Sequence, residues 1–168
     1  TLAVTTTVDQ ANGGFLIYTD TRGLPTIIEV PPNAVSETIT LVYTPASSTT
    51  HPISPNLGFA GRFFALDVQR DGILQPHFPF SRPVTVTLHY TDTDVTGLDE
   101  NSLTLDYWDE EQDQWVDAAT TYTPPSTYDR HPDENWLAVP LCHLTDFALT
   151  GVRLHHIYLP LALKNYAP

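Results

Sequence analysis

A period of two runs through almost the whole chain, and no other feature restricts the fold so tightly. In "VTVTLHY", Val84, Val86, Leu88 and Tyr90 fall on one side, and Thr85, Thr87 and His89 on the other. That spacing marks an antiparallel strand with one face buried. Similar runs are "FLIYTD", "TIIEV", "TITLVYT", "RFFALDVQ", "LTLDYWD", "QWVDAAT", "NWLAVPL" and "DFALTG". Clusters of Pro, Gly, Asn and Asp separate them, and helical periodicity is nearly absent. The pattern predicts an all-β fold, an antiparallel β-sandwich. "RDG" (Arg70 to Gly72) and "WDEEQDQW" (Trp108 to Trp115) read as hairpin ends, and "TPASSTTHPISP" as a long loop. No fixed repeat supports a solenoid or propeller.

With 168 residues, 41% of them hydrophobic, the chain fits one domain with a real core. Seven Lys and Arg stand against 20 Asp and Glu, a formal charge of −13. Phosphate backbones and anionic lipid surfaces repel such a chain, which argues against nucleic-acid and membrane-surface partners. No apolar run approaches the ~20 residues that cross a bilayer, so membrane insertion is not expected. The single Cys142 leaves no internal disulfide. A start at Thr1 without any Met, 15 Pro and one Lys (Lys164) lead us to expect an extracellular protein, secreted or at the cell surface.

The two ends stand apart from the middle. The expected organisation is an N-terminal strand arm and linker over residues 1–12, a sandwich over 13–151 and an apolar strand arm over 152–168. In the first arm Leu2, Val4 and Val8 share a face with Thr6, and "DQANGG" reads as a flexible connection. In the last arm Ile157, Leu159, Leu161 and Leu163 alternate with Tyr158, Pro160, Ala162 and Lys164. Pro160 has no N–H, which suits a sheet edge or a bulge. Each arm either closes an edge of its own sandwich or adds a strand to a second copy. The second use is head-to-tail and grows a filament unless it closes into a ring. Leu2, Val4, Val8, Ile157, Leu159, Leu161 and Leu163 are therefore the candidate assembly interface, and copies of the same chain the expected partner.

From Gly13 to Tyr43 the text "GGFLIYTDTRGLPTIIEVPPNAVSETITLVY" resembles the opening of ZU5 domains. Gly13, Gly14, Pro31, Pro32 and Ala34 carry the match. Further on, "RPVTVTLHY", "GLDENSLTLDYWDEEQDQW" and "CHLTDFALTG" look like the second half of bacterial secreted relatives of that domain, which often end in a segment like "IYLPLALKNY". The resemblance covers roughly residues 13 to 163 and implies a ZU5-like β-sandwich with extra terminal strands. ZU5 and adhesion-receptor domains of the self-cleaving kind cut themselves at His-Leu/Phe before Ser/Thr. His143, Leu144 and Thr145 stand in that order. The implied chemistry has the Thr145 hydroxyl attack the Leu144 carbonyl with His143 as general base, after which water hydrolyses the ester. The plainer reading puts His143 and Thr145 on one face of a strand and Leu144 in the core. The adhesion-receptor version also has further cysteines, and this chain has only Cys142.

Other features point to packing rather than chemistry. "DTDVTGLDE" lacks the register of a calcium loop and reads as a solvated turn. Asp109, Glu110, Glu111 and Asp113 read as a charged hairpin tip. His155 and His156 are adjacent, so on a strand they point to opposite faces, and no zinc spacing occurs. No nucleophile elbow, phosphate loop or dinucleotide fingerprint is present, and no metal, cofactor or conventional enzymatic activity is expected. A surface glycan or protein ligand would find Tyr122, Tyr128 and Trp136 in "TYTPPSTYDRHPDENW". The first expectation is a structural subunit of a filament or surface layer. A self-cleaving module of a larger surface protein comes second, and an adhesin-like module third.

Overall fold

The computed structural model describes residues 2–154. Within them the strands are β1 (Val4–Val8), β2 (Gly14–Thr19), β3 (Pro25–Val30), β4 (Ile39–Ala46), β5 (Leu57–Arg70), β6 (Ile73–Leu74), β7 (Val84–His89), β8 (Thr104–Asp109), β9 (Gln114–Asp117), β10 (Asp129–His131), β11 (Trp136–Leu141) and β12 (Asp146–Val152). All pairings are antiparallel. The first sheet runs β1-β4-β5-β12-β8-β9, with β6 attached to β5; the second runs β10-β11-β7-β3-β2. The two sheets pack face to face as a sandwich.

The alternation read from the text is the alternation of burial. Val84, Val86 and Leu88 are fully buried, while Thr85, Thr87 and His89 are half-buried on the outside. Pro45 sits in β4 without breaking the sheet because β1 stops opposite Tyr43, two residues earlier. Pro140 in β11 is tolerated for the same reason, since β10 reaches only Ala138. The run "QWVDAAT" is a strand only to Asp117, whose carboxylate accepts from the Ala119 N–H and starts a short 3-10 turn over Ala118–Thr121.

Across the middle of the sandwich runs a row of stacked rings. Tyr18 of β2 lies 4.7 Å from Tyr43 of β4, Tyr43 lies 5.0 Å from Phe64 of β5, and Phe64 lies 5.4 Å from Phe147 of β12. Burial pushes the Tyr43 hydroxyl up to about 12. Beside this row β5 carries a bulge. Ala148 pairs with Phe63 but Thr150 pairs with Phe59, so extra residues of β5 face Leu149. Gly61, at φ +66°, makes the bend.

The bend delivers Arg62 into the interior, 5% exposed. Its Nη1 donates to Asp20 Oδ2 at 2.7 Å and its Nη2 to Thr26 Oγ1 at 2.7 Å. Asp20 also accepts from Arg22, which reaches Asp94 at 2.8 Å. Burial drives the Asp20 carboxyl upward, but N–H donors from Leu24 and Arg22 and the Arg62 charge outweigh it and hold it below the usual range. Removing the cation while leaving the carboxylate in place is the costly way to break such a pair. Arg62→Ala is expected to lose roughly 3 kcal/mol of stability in urea unfolding. A folded-state value below the unfolded one stabilises above the ordinary carboxylate range and loses that contribution as pH falls through the folded value. The gap between Arg62→Ala and the unaltered protein should therefore narrow below about pH 4.

Candidate functional site

The chain end that the fold describes belongs to the sandwich. β1 pairs along β4 from Val4 opposite Tyr43 to Val8 opposite Ile39. Val8 is fully buried in the common core, Val4 packs against it half-buried, and Leu2 is 88% exposed. The connection expected to be flexible is a tight turn instead. Asp9 and Gly13 exchange backbone hydrogen bonds at 3.1 and 2.9 Å, and the Asp9 carboxylate accepts from the N–H groups of Ala11 and Asn12 at 2.9 Å each. Gly13, at φ +71°, makes the corner that carries the chain into the second sheet. Ile157, Leu159, Leu161 and Leu163 lie outside the described residues.

His143, Leu144 and Thr145 form the link between β11 and β12. Leu144 packs against the core, half-buried. The Thr145 carbonyl accepts from the Leu66 N–H at 3.0 Å. The His143 ring stacks on His77 at 5.7 Å and lies 5.2 Å from Tyr107. Burial lowers its pKa and any charge on His77 lowers it further, against the opposing pull of Asp109. The shift favours the neutral imidazole, the state a general base needs. None of the three residues adopts a positive φ.

The loop aromatics named as ligand platforms are used within the fold. The Tyr128 hydroxyl donates to Asp117 Oδ1 at 2.6 Å and accepts from the Leu105 N–H at 3.0 Å, and Arg130 covers its ring at 4.2 Å. Burial, followed by the Asp117 charge, raises its pKa. Trp136 stacks on His131 at 3.8 Å and donates from Nε1 to Glu134 at 2.8 Å. Tyr122 is half-buried. The carboxylates of "DTDVTGLDE" bind protein donors: Asp92 accepts from Asn135, Asp94 from Thr91 and Arg22, and Asp99 from the Asn101 N–H. Among the described residues no three His, Cys, Asp or Glu side chains converge as a metal site would require.

An aromatic cluster on the outside of the first sheet went unforeseen. His51, from the long Pro/Ser/Thr loop, stacks on Trp108 at 4.0 Å, and Trp115 meets both rings edge-on. Phe59 and Phe63 extend the cluster along β5. The loop thus acts as a cover, and an open cleft of about 290 Å³ remains between it and Trp115. The cross-strand pair Trp108 and Trp115 was visible in the text, but its partner His51 sits in a segment without periodicity. Next to it on β8, Asp106 is buried, with Oδ2 accepting from Thr150 Oγ1 at 2.8 Å and Oδ1 without a partner among the described residues.

No protein-family model matches this chain, and no curated protein matches it.

Burial pushes the Asp106 carboxyl up; the hydroxyls of Thr150 and Thr104 offset part of this, and the Asp117 charge adds to it. A raised folded-state value means the folded protein binds the proton more tightly, so this group costs stability once pH rises above the ordinary carboxylate range. Asp106→Asn is expected to raise the Tm by a few degrees at pH 7, a gain that shrinks as the melting pH is lowered toward 4. An unchanged or lower Tm at pH 7 would show that the charge is compensated.

Proposed function

We propose that the protein is an extracellular structural subunit that joins copies of itself into a filament or surface layer by terminal-strand exchange, with the C-terminal segment as connector. The observation that carries this reading is the position of β12. It is the last described strand, yet it lies inside the first sheet between β5 and β8. Its end is pinned: the Arg153 N–H donates to the Asn56 carbonyl, Arg153 Nε to the Leu57 carbonyl at 2.6 Å, and the Leu154 N–H to the Gly97 carbonyl. The chain therefore leaves a strand whose two sides are already occupied, and continues into the alternating Ile157, Leu159, Leu161 and Leu163. Burying four such side chains contributes ~6–10 kcal/mol before the cost of ordering them. Val4 and Val8, occupied in their own sandwich, are not the connector in this reading. Electron microscopy of the full chain under native conditions is expected to show polymers with a regular repeat. Leu159→Asp combined with Leu161→Asp should give monomers. Uniform compact monomers of the unaltered chain would end the proposal.

A second reading, a ZU5-like self-cleaving module of a larger surface protein, is favoured by one observation: His143 stands with Leu144 and Thr145 in the link between two strands, half-buried against His77 and Tyr107. The Thr145 hydroxyl would take the Leu144 acyl group from nitrogen to oxygen, giving its proton to His143. Water would then hydrolyse the ester, leaving a Leu144 carboxylate and a free Thr145 amine. Intact mass should then reveal a piece beginning at Thr145, absent from Thr145→Ala. A chain that keeps its full mass during prolonged incubation at pH 7 would exclude the cut.

A further inference from the structure

We infer that the free edge of β2 is the acceptor for the C-terminal segment of a second copy. This rests on the assembly reading above and adds the identity of the docking strand. Among the described residues the sheets end in four edge strands, β1 and β9 in the first and β10 and β2 in the second, and β6, only two residues long, hangs on β5 as a further short edge. β9 is four residues long and continues an acidic tip of Asp109, Glu110, Glu111 and Asp113. β10 is three residues long and runs straight into Pro132. Shortness, charge and proline all blunt an edge against pairing. β1 turns Thr5 and Thr7 outward.

β2 is different. It spans six residues without charge or proline, and turns outward Phe15, 52% exposed, and Ile17, 50% exposed. Ile17 pairs across to Ile27 and Phe15 to Glu29, so the apolar strip continues one strand inward and ends beside a carboxylate. An uncharged edge of this length with apolar side chains is a template for one more strand.

Three properties of residues 155–168 fit that place. The first is charge. The segment holds Lys164 and no acidic residue, whereas residues 1–154 hold six Lys and Arg against 20 Asp and Glu. It is thus a basic strip in a strongly acidic molecule, and attraction favours its docking on another copy. The second is Pro160, whose missing N–H suits the outermost strand of a sheet, where that side of the strand has no neighbour. Added to β2, the segment becomes that outermost strand and stops further growth sideways.

The third is reach. β12 is separated from the β1 side of the first sheet by three strand spacings, about 14 Å, and the second sheet lies about 10 Å across. β2 lies on that side, with Gly14 against Val8 of β1. His155 and His156 alone precede Ile157, and from Leu154 they let the chain advance only about 10 Å. Ile157 therefore falls short of its own β2, so a strand that begins at Ile157 cannot lie whole along that edge, whereas it can along the β2 of a neighbour. Donor and acceptor are different surfaces, so the contact repeats from copy to copy.

The test uses a labelled synthetic peptide of residues 155–168 and the full chain carrying Leu159→Asp and Leu161→Asp, which no longer donates but still accepts. The peptide is expected to bind this chain. Adding Phe15→Asp and Ile17→Asp should weaken binding at least about tenfold, and Ile73→Asp on exposed β6 should leave it unchanged. Ile17→Thr keeps a β-branched side chain, so it guards against a folding defect, and should weaken binding in smaller measure. Peptide binding that is indifferent to all β2 substitutions would overturn the acceptor assignment while leaving the assembly reading intact. A monomeric unaltered chain together with no peptide binding would overturn both.

Discussion

The sandwich depends on one row of rings. Tyr18, Tyr43, Phe64 and Phe147 come from four strands and both sheets, and each stacks on the next. Aromatic rings bury large areas and tolerate little lateral shift, so the row sets how the sheets sit on one another. Beside it lies Arg62, a buried cation tied to Asp20 and Thr26. Asp20 opens the link from β2 to β3, and through Arg22 and Asp94 the same network ties in the link after β7. A hydrophobic column and a closed polar network thus act on the same strands, one fixing their separation and the other their ends.

The outer faces are treated unequally. The first sheet is covered by its own Pro-rich loop, through His51 on Trp108. The second sheet leaves Phe15 and Ile17 half exposed at its β2 end. A sandwich that shields one face and leaves an uncharged edge on the other is asymmetric in how it meets solvent. Its high negative charge works against random association.

Much of this fold was legible because period two survives even where the strand bends. In "RFFALDVQ", Arg62 shares parity with Phe64, Leu66 and Val68, so the text already put a cation on the buried side. What it withheld was the partner, because Asp20 sits in a turn whose position relative to β5 depends on the whole sandwich. His51 was hidden for a similar reason: a loop has no periodicity, and its docking is decided by the sheet beneath it. The turn at Asp9 to Gly13 is a different case. Gly-rich text suggested slack, yet the Asp9 carboxylate closes the turn, a local side chain to backbone preference that "DQANGG" displayed openly. His143, Leu144 and Thr145, which the plainer reading put on a strand, lie in the link between β11 and β12, and the packing of His143 against His77 and Tyr107 depends on residues distant in sequence.

The central position of β12 bears on the order in which the molecule can form. The first sheet contains strands from both ends of the described chain, and its last strand in sequence is an inner one, inserted between β5 and β8. Until that strand arrives, β5 and β8 have no partner in common and β8 with β9 forms only a detached hairpin. The second sheet has all its strands once β11 has emerged, but the first cannot close until β12 follows. Long-range pairing of this kind makes for slow folding. The same architecture lets one strand, the last described, join the two halves of the first sheet.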